Sequence, residues 1–383
     1  MVMGSLVKED LSVTFDQIDD PRINRSKLYP LSEVLFLALI GALLGIESWR
    51  GLELLGNERL SFLQRFFPFA HGIPSHQTIA RIFSILKPKS FEQFFISWMA
   101  RANGSNEGVQ IALDGKALRG SYDKTSAKEA LHLLNACAVD HGICLGQMEV
   151  GTKTNEITVV PQMLDALDIK GAMISVDALN TQKEIATQIV DAKADYTLAL
   201  KGNHKTLNSE VQTIFFGKTK KNLQEVVTHT EKEHGRLTTW TYDVETVDKY
   251  NISQFAEWDG LRAVGRVQTT TFRSGKETQD IRYYLLSYGD VHLFAKSARG
   301  HWAVESKLHW TLDVTFGEDA SRKRKDYAPR NYSLIRKFGL NICRSFKGKL
   351  SVPLFHIKMG SNAEFMAAIL QKTGFSLLER YSF

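Results

Sequence analysis

The chain has 383 residues, 43% of them hydrophobic, and a formal net charge of +6. A chain of this length predicts two or three domains, and the apolar content is sufficient for a large core. The longest apolar runs are too short to span a membrane, and residues 1–10 lack the organisation of a signal peptide. The three cysteines form neither a disulfide framework nor a zinc motif, so we predict a cytoplasmic protein without membrane association.

The positive charge is concentrated towards the C-terminal end. Between Lys296 and Leu350 there are 13 Lys and Arg residues against 5 Asp and Glu residues, a difference of +8. A basic segment of this kind is typical of polyanion binding, with nucleic acid as the first candidate. Four consecutive basic residues in it are predicted DNA-backbone contacts, although such runs also occur as solvated surface: Arg322, Lys323, Arg324 and Lys325.

The first hundred residues have a helical pattern. Helices are predicted at Ser32–Leu44, Trp49–Phe67 and Ile79–Leu86, with Ser75 as an N-cap of the last. A helix, a tight turn and a second helix beginning near His76 would make a DNA-reading helix-turn-helix, and an ordinary helical bundle is the alternative. Because residues 101–108 have the composition of a linker, residues 1–104 are predicted to be an all-α domain that folds separately.

Beyond the linker the apolar pattern changes to that of strands. Strands and helices are predicted at Val109–Asp114, Leu133–Val139, Ile143–Val150, Ile157–Leu167 (helix), Ala172–Asp177, Thr181–Ala192 (helix) and Tyr196–Leu200. This order predicts an α/β fold with a mixed sheet flanked by helices. The predicted units after residue 104 are 105–204 and 291–350 for the core, 205–290 for a mainly β insertion, and 351–383 for a helical tail.

Two aspartates occupy positions where α/β proteins build their sites. Asp114 and Asp177 are each the last residue of a predicted strand, and sites form at strand ends in open α/β sheets. With a glutamate from a packed helix they would make an all-oxygen set that suits Mg²⁺ or Mn²⁺. Two such ions promote in-line phosphoryl transfer. A turn-forming or capping role is the ordinary alternative for a single aspartate of this kind.

The glutamate in question is Glu305, at the border of a predicted apolar helix face. That face contains Val304, Leu308 and Leu312, and is widened by Trp302 and Trp310. A surface glutamate paired with a neighbouring base is the alternative. Three other acids compete as the third ligand, namely Asp313, Glu318 and Asp319. A metal-binding helix is a further alternative, because His301, Glu305 and His309 fall at successive turns.

Several longer blocks occur in a characteristic order: Ala112–Ser121, Thr154–Ile157, Val176–Gln182, Tyr196–Asn203, His234–Arg236 and His301–Arg322. With these blocks the chain resembles bacterial insertion-sequence transposases of the DDE class, in particular the group that includes the H-repeat-associated proteins. The resemblance implies an RNase H-like core in which Asp114, Asp177 and Glu305 bind two Mg²⁺ or Mn²⁺ ions. It also implies double-stranded DNA partners (element ends and target), strand cleavage and joining, and a homodimer or larger assembly on DNA.

The resemblance has departures near the third acid. Related families carry a Tyr and an Arg before this glutamate and a Lys after it, where this chain has Ala298, His301 and Leu312. The departures leave open whether excision passes through a DNA hairpin. Four further basic residues are predicted phosphate contacts, with surface charge as the alternative for the first two: Lys116, Arg119, Arg299 and Lys307.

The sequence therefore predicts a metal-dependent DNA transposase. One alternative is a transposase-derived DNA-binding protein that has lost catalysis. Another is an RNase H-like nuclease that needs no specific DNA ends. All three share one fold, so activity on a defined DNA end distinguishes them.

Overall fold

The computed structural model describes residues 15, 17–122, 129–151, 155–218, 226–233 and 235–378. Two of the sequence blocks, 154–157 and 234–236, therefore lie partly outside the described residues. The α-helices are α1 (Leu31–Leu43), α2 (Trp49–Glu58), α3 (Leu60–Leu63), α4 (His76–Ile85), α5 (Pro88–Asn103), α6 (Glu156–Ala166), α7 (Lys183–Asp191), α8 (Lys205–Phe215), α9 (Val291–Ala303), α10 (Trp310–Val314), α11 (Ala328–Phe346), α12 (Val352–Ser361) and α13 (Ala363–Lys372). The strands are β1 (Gln110–Leu118), β2 (Leu131–Ala138), β3 (Ile143–Val150), β4 (Met173–Val176), β5 (Asp195–Leu200), β6 (Val226–Glu233), β7 (Arg236–Thr246), β8 (Ala263–Arg273) and β9 (Lys276–Leu286).

The strands form one mixed sheet in the order β3-β2-β1-β4-β5-β9-β8-β7-β6. β1, β4 and β5 are parallel neighbours, whereas β2 and β3 add an antiparallel hairpin beside β1. The hairpin turns at the predicted place, where Gly142 has a φ of 64°, a conformation that favours glycine. This is an RNase H-like arrangement, so the predicted α/β class is confirmed.

Residues 205–290 supply the far half of the same sheet. They begin with α8, and β9 then pairs antiparallel with β5 from Leu286 opposite Thr197 to Tyr283 opposite Leu200. The segment is β-rich as predicted, but its strands extend the central sheet and do not form a separate one. No helix in the described part of the chain combines the length and apolar character needed to cross a membrane.

Strand β1 is longer than predicted. It continues through Asp114 to Leu118, so the expectation that Asp114 ends its strand is wrong. Parallel pairing with β4 stops at Leu113 opposite Val176, but antiparallel pairing with β2 continues to Leu118 opposite Leu131. The polar residues after Leu113 interrupt the apolar pattern, while one neighbouring strand is enough to keep the backbone extended.

The N-terminal helices share a hydrophobic core with the sheet region, contrary to the expectation of a separately folding domain. α1 is buried along its whole length. The ring of Trp98 in α5 stacks on Phe338 in α11, with centroids 4.0 Å apart. The predicted linker is also fixed, because α5 continues to Asn103 and the buried Asn106 donates to the Asp168 carbonyl at 2.6 Å.

Of the two interpretations of this region, the tight helix-turn-helix is not formed and the helical bundle is. The connection between α3 and α4 covers residues 64–75, which is longer than the three or four residues of a helix-turn-helix turn. α4 is nevertheless capped by Ser75, whose Oγ accepts from the Thr78 N–H at 3.3 Å. Its surface-facing residues remain candidates for contact with DNA.

Candidate active site

Asp114 and Asp177 lie next to each other where β1 and β4 separate. The last parallel pair is Leu113 opposite Val176, so the following residue on each strand is an aspartate. Oδ1 of Asp177 accepts from the backbone N–H and from Nδ2 of Asn180, both at 3.0 Å. The structure therefore brings the two predicted aspartates together at one point of the sheet, with both side chains half-buried.

Glu305 reaches this point from a helix that crosses the sheet. α9 packs on β7, β4 and β1. It passes close to the Gln110 side chain, because a Cβ at Gly300 would lie 2.1 Å from Oε1 of Gln110. The next turn, Val304–His309, is a π-helix, a winding that occurs often at functional sites. Glu305 is exposed, and its negative charge contributes to raising the pKa of Asp114.

The helix face around Glu305 is only partly as predicted. The stripe of Val304, Leu308 and Leu312 is buried. Trp302 and Trp310 are 48% and 59% exposed, so the prediction that they widen this stripe is wrong. Trp302 instead packs against the Arg282 guanidinium, whose Cζ lies 4.0 Å from its ring centroid.

A fourth carboxylate, Glu156, stands at the same place, and the sequence reasoning missed it. Its Oε1 accepts from His132 Nε2 and its Oε2 accepts from Asn180 Nδ2, both at 2.7 Å. A Cβ at Gly115 would lie 1.9 Å from Oε1 of Glu156, so the missing side chain leaves room for the Glu156 carboxylate. The available signals were the glutamate in the Thr154–Ile157 block and the glycine directly after Asp114.

Simultaneous ionisation of all four carboxyl groups in this acidic cluster is strongly disfavoured. Burial, together with the negative charges of Glu156, Asp177 and Glu305, raises the pKa of Asp114 to about 7. Burial and Glu156 also raise the pKa of Asp177. Burial opposes ionisation of Glu156 as well, but the hydrogen bonds from His132 and Asn180 hold its pKa below the ordinary value. A bound divalent cation would relieve this repulsion.

The donor set fits Mg²⁺ or Mn²⁺ in its chemistry. The four acids offer oxygen ligands only, as these hard cations prefer. As the side chains stand, the described residues contain no group of three His, Cys, Asp or Glu arranged to hold one ion. The alternative of a metal-binding helix is not favoured, because His301 is directed away to Ser175 Oγ at 3.2 Å. His309 is turned towards Asp114, with Nδ1 3.6 Å from Oδ2.

Lys116 and Glu318 belong to a buried ion network and not to a ligand-binding surface. Nζ of Lys116 donates to Asp313 Oδ1 and, at 2.9 Å, to Glu318 Oε2. Oε1 of Glu318 accepts from Ser333 Oγ at 2.6 Å and lies 3.9 Å from Lys337 Nζ. The predicted DNA contact by Lys116 is therefore wrong, and Glu318 is not placed to compete as the third metal ligand.

Lys323 is likewise turned into the protein. It is 9% exposed, its Nζ donates to the Glu47 carbonyl, and its ammonium lies 4.0 Å from the Tyr332 ring centroid. The predicted DNA contact by Lys323 is therefore wrong. The other three residues of the basic run are exposed, namely Arg322, Arg324 and Lys325.

The remaining predicted phosphate contacts are exposed and lie in different surroundings. Arg119 follows β1, with Nε 3.6 Å from Asp319 Oδ2. Arg299 pairs with Glu231, and Lys307 Nζ donates to the Val139 carbonyl at 3.2 Å. These positions are compatible with phosphate contact, and the contacts themselves remain a prediction.

The buried network predicts a large stability effect at Glu318. Burial alone would raise its pKa, but the cations Lys337, Lys116 and Arg336 lower it to about 2. Because the folded-state pKa is depressed, its stabilisation is present above the unfolded value and is lost as pH falls towards 2. We expect Glu318→Ala to lower the free energy of unfolding by about 3–5 kcal/mol, since it leaves buried cations unpaired.

Urea unfolding at neutral pH would measure this difference. Asp319→Ala is the matched control, because Asp319 is partly exposed and its removal should cost less than about 1 kcal/mol. Equal free energies of unfolding for Glu318→Ala and Asp319→Ala would contradict the stabilising role of the ion network.

Comparison with known proteins identifies the family. Residues 13–99 match the family model described as DDE_Tnp_1-associated, and residues 105–342 match the Transposase DDE domain. The chain is 38% identical over 341 residues to "Putative transposase YncI" of Escherichia coli O157:H7, covering 86% of this chain and 87% of that protein. It is 36% identical over 359 residues to "H repeat-associated putative transposase YhhI" of Escherichia coli K12, covering 91% and 94%.

Among solved structures, a piggyBac transposase synaptic complex with hairpin DNA aligns with a TM-score of 0.41 and 12% identity, covering 99% of this chain and 82% of that chain. The family models and the curated relatives define the class of protein. The chain belongs to the DDE transposases of bacterial insertion sequences, and the predicted family resemblance is confirmed.

Proposed function

We propose that this chain is an insertion-sequence transposase that binds the terminal repeats of its element and catalyses metal-dependent DNA strand cleavage and transfer. The observation that carries the proposal is the adjacency of Asp114 and Asp177 where β1 and β4 separate, with the charges of Glu156 and Glu305 close enough to raise the pKa of Asp114. Family membership supports it. All four acids are oxygen donors, the ligand type that phosphoryl transfer with two hard cations requires.

The four acids have different proposed roles. Asp114, whose pKa the other three acids raise, would be the ligand common to two Mg²⁺ or Mn²⁺ ions, and Asp177 and Glu305 would each hold one of them. The bound ions supply Lewis-acid activation of the attacking oxygen and stabilisation of the leaving oxygen. Glu156 is a proposed positioning residue, because Asn180 donates to both Glu156 and Asp177 and so fixes their relative orientation.

The proposed reaction has two phosphoryl transfers. In the first, a water oxygen bonds to phosphorus at the element end, and the P–O3′ bond breaks to leave a 3′-hydroxyl. In the second, this 3′ oxygen bonds to a target phosphorus, and the target's 3′ oxygen leaves and takes a proton. Joining of two ends to one target requires two active sites, which is the reason for the proposed homodimer or larger assembly on DNA.

The full-length protein and the genomic DNA that flanks its reading frame test the proposal. With Mg²⁺ or Mn²⁺ we expect strand cleavage at one position in the flanking duplex and none in a shuffled duplex of equal composition. Ca²⁺ should support binding without cleavage, because its looser coordination fits the transition state poorly. Binding without cleavage in either metal would favour the binding-only alternative, and equal cleavage of both duplexes would favour a nuclease.

A further inference from the structure

A basic groove lies between α4 and the loop that carries the Arg322–Lys325 run. Its volume is about 690 Å³. The lining residues come from both ends of the chain and include Gln77, Thr78, Arg81, Arg322, Arg324 and Lys325. None of the lining residues is acidic, whereas the similar-sized groove beside α9 contains Asp140, Glu231 and Asp280. Its charge is therefore complementary to a polyanion.

The basic wall of the groove is held in place by buried contacts. Lys323 anchors the loop, because its ammonium is directed into the protein towards Trp49 and Tyr332, at 4.7 and 4.0 Å from the ring centroids. Nε of Arg324 donates to the Gly120 carbonyl at 3.1 Å, which connects the loop to the segment after β1. The neighbouring side chains Arg322 and Lys325 are exposed and line the groove.

The helical wall is also fixed. The His76 backbone N–H donates to Glu53 Oε2 at 3.1 Å, and Nδ1 of the His76 ring lies 2.6 Å from the same oxygen. These two contacts attach the start of α4 to α2. The Tyr327 N–H donates to the Ser84 carbonyl at 3.2 Å, so the basic loop is tied to the last turn of α4. The spacing between the two walls is thus determined by the fold.

The exposed face of α4 has the residue types that read DNA bases. Gln77 and Arg81 are both exposed and lie four residues apart, so they share one helix face. Glutamine makes paired hydrogen bonds with adenine and arginine with guanine in the major groove, which is about 12 Å wide and admits a helix. α4 has 10 residues, so its length is about 15 Å.

We propose that this groove binds the duplex DNA of the element end, with Gln77 and Arg81 facing base edges and Arg322, Arg324 and Lys325 contacting backbone phosphates. The inference rests on the proposed function and deepens it. It places end recognition on a surface built jointly by the N-terminal helices and the segment after the catalytic helix. Arg324 further connects this surface, through Gly120, to the strand that carries Asp114.

Binding by the full-length protein to flanking and shuffled duplexes, measured in Ca²⁺ over a range of salt concentrations, tests the groove. For Arg322→Ala/Lys325→Ala we expect weaker binding to both duplexes and a salt slope reduced by about 2, since each phosphate contact contributes about 0.9. For Arg81→Ala we expect about a tenfold loss of affinity for flanking DNA and little loss for shuffled DNA.

The matched control is Arg273→Ala/Lys276→Ala, which removes the same charge from exposed residues on either side of the turn between β8 and β9. It should leave both the salt slope and the preference for flanking DNA unchanged. Thermal unfolding of each variant provides a check that the fold is retained, because all five substituted residues are exposed.

Failure of the groove and failure of the proposed function give different results. If the unmodified protein prefers and cuts flanking DNA while the groove variants keep its affinity, salt slope and preference, the groove proposal is overturned and the function stands. If the unmodified protein shows no preference for flanking DNA, the proposed function and the groove proposal fail together. A groove that binds polyglutamate as tightly as duplex DNA is a general anion surface, which also overturns the proposal.

Discussion

Asp114→Asn is expected to reduce DNA strand cleavage by a factor on the order of 10³ or more while leaving binding to flanking DNA intact. Burial and the charges of three other carboxylates raise the pKa of Asp114 to about 7. Asparagine keeps the shape of the side chain and removes the charge that would hold cations. Cleavage of a labelled flanking duplex in Mg²⁺ and binding in Ca²⁺ measure the two effects separately.

The same separation is expected for the other proposed ligands. Asp177→Asn and Glu305→Gln should each abolish cleavage, and combining them should add little, because a site that lacks one ligand has little activity left to lose. Asp319→Asn is the control and should retain measurable cleavage. If Glu305→Gln still cuts while Asp313→Asn does not, the third ligand has been placed wrongly.

Glu156→Gln should reduce cleavage less than the substitutions of the proposed ligands, and it should do so by weakening metal binding. A residue that orients a metal ligand typically changes metal affinity by about 10–100-fold. We therefore expect weaker Mn²⁺ binding by calorimetry, with cleavage partly restored at high Mn²⁺ concentration. Glu107→Gln is the matched exposed control and should bind Mn²⁺ as the unmodified protein does. Unchanged Mn²⁺ affinity in Glu156→Gln would remove Glu156 from the site.

Deletion of residues 1–104 is expected to unfold the remaining chain. The apolar side of α11 packs on α1, α4 and α5, and Asn331 donates to the carbonyls of Phe83 and Leu86 at 2.9 and 2.7 Å. Their loss would expose an extensive part of the shared core. The free energy of unfolding of a typical domain is only about 5–15 kcal/mol, and the free-energy cost of exposing this part of the core should exceed it.

Near-ultraviolet circular dichroism and thermal unfolding test this expectation. The truncated chain should lack a cooperative transition. Trp98→Ala, which removes the indole stacked on Phe338, is a milder perturbation of the same core. It should lower the free energy of unfolding by about 3–5 kcal/mol and leave the protein folded. A truncated chain that unfolds cooperatively would show that residues 105–383 form an independent domain after all.

The sequence by itself determined the features that depend on local pattern. Alternating apolar residues located the strands around Asp114 and Asp177, and helical spacing located the buried face beside Glu305. Ordered sequence blocks identified the transposase family, which the family models and relatives confirmed. These signals are recoverable because strand and helix periodicity act over a few residues along the chain.

Only the tertiary structure decided which charged side chains face the solvent and which acids meet. Lys116 and Glu318 are 202 residues apart in sequence and form an ion pair in the interior, and Lys323 is turned inwards within a run of exposed bases. Glu156 reaches Asp114 because Gly115 leaves room for its carboxylate. Long side chains have many rotamers, so their direction depends on the distant partners that the fold supplies, and these are absent from any local pattern.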